Sequence, residues 1–355
     1  MPRDLCSRTR GTDFRFASAA PVVIVAALSL IVPAFSVAAG DRVRFRPKFT
    51  AGETLRYQVE TRTTTTGKTK TPIENPEGEA KVSQTIDLLI RLDVFGVGPD
   101  ADGVPGKVRL NALFEQSQSS TERDALNPDD PSPDEQFARL QGHSIQFTLG
   151  PAGELSDFQG TENLLPNPSD ADPVLSWVKS LSVGARFPRE GIAIGQKWSA
   201  EKPLAGLPLA DLTWRTESTY LRNESCGPSQ AQGGNKSATA SPAPAVPAVA
   251  PPATNDMCAV VLTRFEISRR GSARSEATPD DYRHNGLRTS GTWTGSGESL
   301  DSISLASGLL VSSTQTGTQD MDYEITSTTT SSRIRHTGHV ENQSQIKLLS
   351  SQQQP

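Results

Sequence analysis

The chain has 355 residues, a formal charge of −5, and 35% apolar against 21% charged residues. A modest acidic balance gives no electrostatic reason to hold nucleic acid or an anionic membrane face, so neither is expected as a partner. The low apolar share excludes a chain dominated by buried helices and suits strands with one wet face.

Residues 1–39 read as a signal peptide. Arg3, Arg8, Arg10 and Arg15 form a basic start, an apolar run follows from Pro21 to Val37, and small residues close it around Ser36 to Ala39. Ser36 and Ala38, or Val37 and Ala39, suit the positions before a cut. The rival reading is a retained anchor, since the run approaches the shortest length that spans a bilayer. Pro21 and Pro33 bracket it, which favours cleavage. Four arginines and two aspartates leave with the segment, so the remainder carries −7. It has no other long apolar stretch, and no transmembrane segment is expected in the mature chain. The expected location is periplasmic or extracellular.

Strand signals fill the rest. Thr54–Thr65 alternates Leu55, Tyr57 and Val59 with Arg56, Gln58 and Glu60, a period of two with one buried face. Lys81–Phe95 continues in kind, residues 96–106 make a turn, and Lys107–Ser117 returns, giving an antiparallel meander. Asn127–Asp134 reads as a loop. Gly142–Leu149 and Glu154–Phe158 flank a turn ending at Gly153. The one short helix falls near 172–182, where Asp170 or Asp172 caps, Pro173 opens, and Val174, Leu175, Val178 and Leu181 make a stripe. Gly191 and Gly195 mark turns before a short strand with Trp198.

The second half repeats the pattern loosely. Strands are expected over Leu212–Leu221, Cys258–Ser268, Leu287–Thr294, Ser299–Ser313 with a turn at Gly308, Asp320–Thr328 and Ser332–Leu349. The fold class is mainly β, with long antiparallel curved sheets in two related halves, 40–205 and 206–350. Closed barrel, half-barrel and sandwich all fit the pattern. Removal of the signal takes Cys6 and leaves Cys226 and Cys258, an even pair in an oxidising compartment. Between them runs a Pro/Ala-rich segment that cannot bury a core and is expected to be disordered. The pair is expected as a disulfide closing the neck of that loop, 227–257, between two paired strands.

Catalytic material is thin, and no catalytic, cofactor or metal residue is assigned. The close histidines, His336 and His339, stand three apart, which on a strand turns them to opposite faces. No Gly-x-Ser-x-Gly elbow occurs. Gly295–Ser299 lacks the Lys and helix of a phosphate loop and reads as a strand connection. Asp100 and Asp102 lack the further carboxylates of a calcium loop. Asp280 and Asp281 read as a solvated turn. Thr61–Thr71 reads as the solvated end of a hairpin whose cations blunt an edge. Trp293 sits among small residues, 291–295, that could leave its ring open to a ligand; core packing is the competing fate.

Three stretches carry a resemblance: Phe49–Tyr57 (FTAGETLRY), Gly191–Ser199 (GIAIGQKWS) and Ser299–Leu310 (SLDSISLASGLL). The chain resembles uncharacterised exported bacterial proteins of the DUF6263-type family. The resemblance implies a fold and no reaction. The expected function is a non-catalytic binding or scaffold protein of the envelope, holding an apolar small molecule or an envelope protein on a concave sheet face. The alternatives are a hydrolase drawing carboxylates from separate strands, and a self-associating surface component.

Overall fold

The computed structural model describes residues 42–70, 80–99, 106–123, 133–151, 153–161, 164, 178, 186–226, 256–269, 272, 276–330 and 332–353. In chain order these form β1 (Glu53–Lys70), β2 (Ala80–Val97), β3 (Val108–Arg123), helix α1 (Pro133–Ala138), β4 (Ser144–Leu149) and β5 (Leu155–Gln159). β6 (Lys197–Pro203), β7 (Leu212–Ser225), β8 (Met257–Arg269), helix α2 (Asp280–His284), β9 (Leu287–Ser304), β10 (Leu310–Ser327) and β11 (Arg333–Gln353) follow.

All eleven strands join one sheet in the order β5-β4-β3-β2-β1-β11-β10-β9-β8-β7-β6. Every pairing is antiparallel. The sheet is therefore a single up-and-down meander in which the first and last strands pair, from Glu53 opposite Gln353 to Lys70 opposite Arg335. It is unclosed: β5 and β6 are its edges. Both are short. β5 carries Asp157 at φ 55°, and β6 carries Lys197, Glu201, Lys202 and Pro203, features that discourage a further strand from adding.

The period-two pattern decides which face is inner. Leu55, Tyr57 and Val59 on β1, Leu88, Ile90 and Leu92 on β2, and Leu110, Ala112 and Phe114 on β3 are buried. They share one cluster with Tyr220, Val261, Ile303, Leu310 and Ile346 from the other wing. A sheet whose two wings meet in one core must curve around it. The segment before β1 fills this end: Val43 bridges Ile192, and the Lys48 N–H donates to the Ser307 carbonyl. Gly308, at φ 69°, is required there, since a Cβ would stand 2.3 Å from the Arg46 carbonyl oxygen. A second, smaller apolar cluster lies at the far end of β7–β10, built on Leu209, Leu212, Ile267 and Ala277, with Trp214, Trp293 and Tyr323 against it.

Cys226 and Cys258 form a disulfide with Cα atoms 5.0 Å apart. Glu224 faces Cys258 in the β7–β8 register, so the bond closes the neck between two paired strands. Closing a loop of that length stabilises by about 3–4 kcal/mol on chain-entropy reasoning. The Pro/Ala segment inside it lies outside the described residues. So do Trp177, Asp100 and Asp102, and, except for a helical, buried Val178, the helix expected near 172–182.

Four local readings change. Residues 133–138, at the end of an expected loop, are helical, and the Asp134 carboxylate accepts from Ser119 Oγ (2.9 Å), Thr121 Oγ1 (2.7 Å) and the Thr121 N–H (3.1 Å). Asp280 and Asp281 open a one-turn helix instead of a plain turn. β1 is interior rather than an edge, because β11 covers the side on which cations would have blunted it. The strand expected over Leu287–Thr294 and the part of Ser299–Ser313 before its Gly308 turn are one, β9, so Gly295–Ser299 is strand and not a connection, and the part after the turn and Asp320–Thr328 are likewise one, β10.

The last change has a packing cause. Phe265 on β8 lies across β9 and β10: a Cβ at Gly297 would meet its ring at 2.5 Å, and one at Gly317 at 2.6 Å. The glycines admit the ring, and the ring replaces the side chains they lack. Overpacking of this kind costs about 1–3 kcal/mol. Gly317→Ala is expected to destabilise by that amount in denaturant unfolding, and Phe265→Leu is expected to relieve most of the added cost. Additive effects in the double variant would contradict the contact.

Candidate functional site

Beyond the main core the strands continue, and the registers align inner-face residues in rows across seven strands, from β7 to β2. The first row holds Ser218, Thr263, Ser299, Gln315, Ser344, Thr61 and Ile86. The second holds Thr216, Phe265, Gly297, Gly317, Asn342, Thr63 and Gln84. The third holds Trp214, Ile267, Gly295, Gln319, Val340, Thr65 and Val82. None of these residues is charged. Most are half-buried, and none is fully exposed.

Their neighbours one position along each strand face the other way and carry the charge. Glu217, Arg264 and Glu298 oppose one another on β7, β8 and β9, as do Arg215 and Glu266; Glu60 opposes Asp87. The two faces of the same strands therefore differ in kind. The outer face is an ionic, solvated surface. The inner face is a neutral band of hydroxyls, amides and glycines between two apolar clusters.

Part of the band is satisfied internally. Ser218 and Thr263 hydroxyls lie 2.8 Å apart, and Thr61 and Ser344 hydroxyls 3.3 Å. The Asn342 amide oxygen is buried with no hydrogen-bond partner. Below the band, Asp301 is buried, 2% exposed, and its carboxylate accepts from Ser313 Oγ (2.6 Å) and from Arg186 Nη1 (3.2 Å). A buried carboxylate held in this way marks the border between the core and the band.

The upper margin is aromatic. Trp293 stacks on Tyr323 with centroids 6.0 Å apart, and Tyr323 stacks on His336 at 5.0 Å. Trp293 Nε1 donates to Gln319 Oε1 (3.1 Å). Trp214 stacks on Phe265 at 4.4 Å, with Lys202 Nζ 5.7 Å from the Trp214 centroid. Trp293 is thus half-buried and spends one face on Tyr323, so it borders the band instead of standing open.

The paired histidines separate as their spacing requires. His336 turns inward, where Nδ1 lies 3.1 Å from Thr69 Oγ1. His339 turns outward, with Nδ1 2.7 Å from Asp320 and Nε2 3.7 Å from Glu341. No group of three metal-ligating side chains occurs among the described residues. On β2 and β3 a carboxylate pair meets: Arg91 reaches Asp93 (3.1 Å) and Glu115 (3.4 Å), and Arg56 holds Glu115 (3.0 Å). Arginine neutralises both acids. A shallow cleft of about 240 Å³ near the β5 edge is lined by Phe95, Arg109, Gln146, Asp157 and Gln159. With one carboxylate it does not assemble the acid pair of glycoside hydrolysis. Sequence reasoning missed the band, because its Thr, Ser and Gly positions become one surface only through pairings between distant strands.

No family model matches the chain, and no curated protein matches it. Among solved structures, one of lipovitellin described by its lipid–protein interactions superposes with a TM-score of 0.42 at 12% identity. The match covers 87% of this chain and 26% of that one. A likeness that loose assigns no ligand. No helix among the described residues is long and apolar enough to cross a membrane.

The histidines titrate apart for stated reasons. The hydrogen bond to Asp320, with the charges of Asp320 and Glu341, raises the pKa of His339, and burial lowers that of His336. The stabilising share of His339 is therefore complete below the ordinary histidine pKa and lost as pH rises through its raised value. The neutral fit of His336 is complete above the ordinary value and lost as pH falls through its lowered value. An NMR titration is expected to place the His339 midpoint above, and the His336 midpoint below, the ordinary value of about 6.5. The reverse order would contradict the geometry.

Proposed function

We propose that the chain is an exported, non-catalytic binding protein of the bacterial envelope that holds a ligand or partner against the inner face of its sheet. The separation of charge between the two faces carries the reading. A sheet face left to water normally gathers charged residues, as the outer face here does. Across the seven strands from β7 to β2 the inner face carries hydrogen-bonding groups in three successive rows without a charge, and Lys202, opposite Trp214 on β6, ends the third row. Such a face is suited to something that covers it and answers its donors and acceptors. Trp293 and Tyr323 at its margin supply the flat apolar contact that such sites use to orient a ligand.

Export is supported by the basic, apolar, small order of residues 1–39 and by the Cys226–Cys258 disulfide, a bond that persists in oxidising compartments. The order and short length of the edge strands speak against assembly by strand addition.

Native mass spectrometry of the protein purified from its own source tests both parts. A mature chain beginning at Ala39 or Gly40 is expected, with added mass that disappears on denaturation. A bare chain with no copurifying partner would contradict binding, and a retained Met1 would contradict cleavage.

A further inference from the structure

The inner band also defines the chemistry of its occupant, and this inference rests on reading that face as the binding surface. An anionic ligand calls for arginine or lysine, and a cationic one for carboxylates. None of these stands in the three rows between β7 and β2. An aliphatic ligand calls for a dry wall, since each covered hydroxyl or amide without a partner costs about 1–3 kcal/mol. The rows are instead rich in threonine, serine, asparagine and glutamine. Amides offer a donor and an acceptor together, and hydroxyls do both. Asn342 already holds a buried oxygen that lacks a donor.

The band is also wide. Seven strands at about 4.8 Å spacing span about 29 Å, and three rows two residues apart span about 14 Å. This is a floor for an extended chain rather than a pocket for one small molecule. Phe265 lies over Gly297 and Gly317 with Trp214 stacked on it, and Trp293 stands at the margin, so flat apolar rings border the amides. Neutral groups that both donate and accept, bordered by flat apolar rings, match one ligand class. We infer that the inner face binds an uncharged glycan chain, its hydroxyls on the amide and hydroxyl side chains and its ring faces on the aromatic margin.

The test uses the full mature chain and isothermal titration with neutral hexasaccharides of glucose, galactose, mannose and N-acetylglucosamine. A galacturonate hexasaccharide serves as the anionic probe and 1-dodecanol as the apolar one. The variants are Gln315→Leu and Thr63→Val on the inner face, and Thr316→Val on the outer face. Thr63→Val keeps the side-chain shape at a half-buried position, so it retains the fold should Gln315→Leu lose it. At least one neutral hexasaccharide is expected to bind, tenfold or more weakly in Gln315→Leu, several-fold in Thr63→Val, and unchanged in Thr316→Val. Tighter binding of galacturonate, or glycan binding indifferent to the inner-face variants, would overturn the inference. Binding of dodecanol alone, weakened by the inner-face variants, would overturn it and leave the binding face standing. Binding of no probe, with a bare chain in native mass spectrometry, would remove both.

Discussion

The pairing of the first strand with the last is the constraint on which the rest of the structure depends. Residues 53–70 lie against residues 335–353, so the bond network closes a loop of nearly all the residues from 53 onward. Without it the meander would break into β1–β5 and β6–β11, each with a long edge strand. Loop-closure entropy makes such a contact late and slow to form. What offsets it is length: the whole of β1 finds partners in β11, and Val59 against Ile346 joins the two wings inside the core. The short, charged or irregular strands, β5 and β6, are then the ones left at the edges.

The same pairing creates the candidate site. A period of two gives every long strand an inner and an outer face, but only the registers set Thr63, Asn342, Gly317 and Gln84 side by side. The apolar core occupies one end of the strands, and the strands continue beyond it. The neutral band is what these continuations present on the inside. Outside, the same lengths of β7, β8 and β9 carry facing acids and bases. This division sorts polar residues by charge, which the hydrophobic core alone does not require.

Much of the fold was legible in the sequence and much of the site was not. The alternation of Leu55, Tyr57 and Val59, the turns at Gly153 and Gly308, and the cysteine pair beside strand-like segments are local signals, and each appears in the structure. Curvature was expected, while the choice of one unclosed sheet over a sandwich or barrel was beyond a pattern that local periodicity alone supplies. Glycine misled the reading of β9 because Gly295 and Gly297 break a strand by local rules. Ile267 against Gly295 and Phe265 against Gly297, from a strand about thirty residues earlier in sequence, take the place of their side chains. The opposed faces of His336 and His339 followed from spacing alone. The openness of Trp293 did not, because Tyr323 covers one face of its ring from the neighbouring strand.

The central claim is that the neutral band is the face on which the protein holds its ligand. A crystal structure of the protein purified from its own source tests it most directly. Non-protein density is expected over the rows that begin at Thr61, Thr63 and Thr65, in contact with Gln315 and Gln319. A band packed by the chain's own residues, or density confined to the cleft at Arg109 and Asp157, would contradict the account.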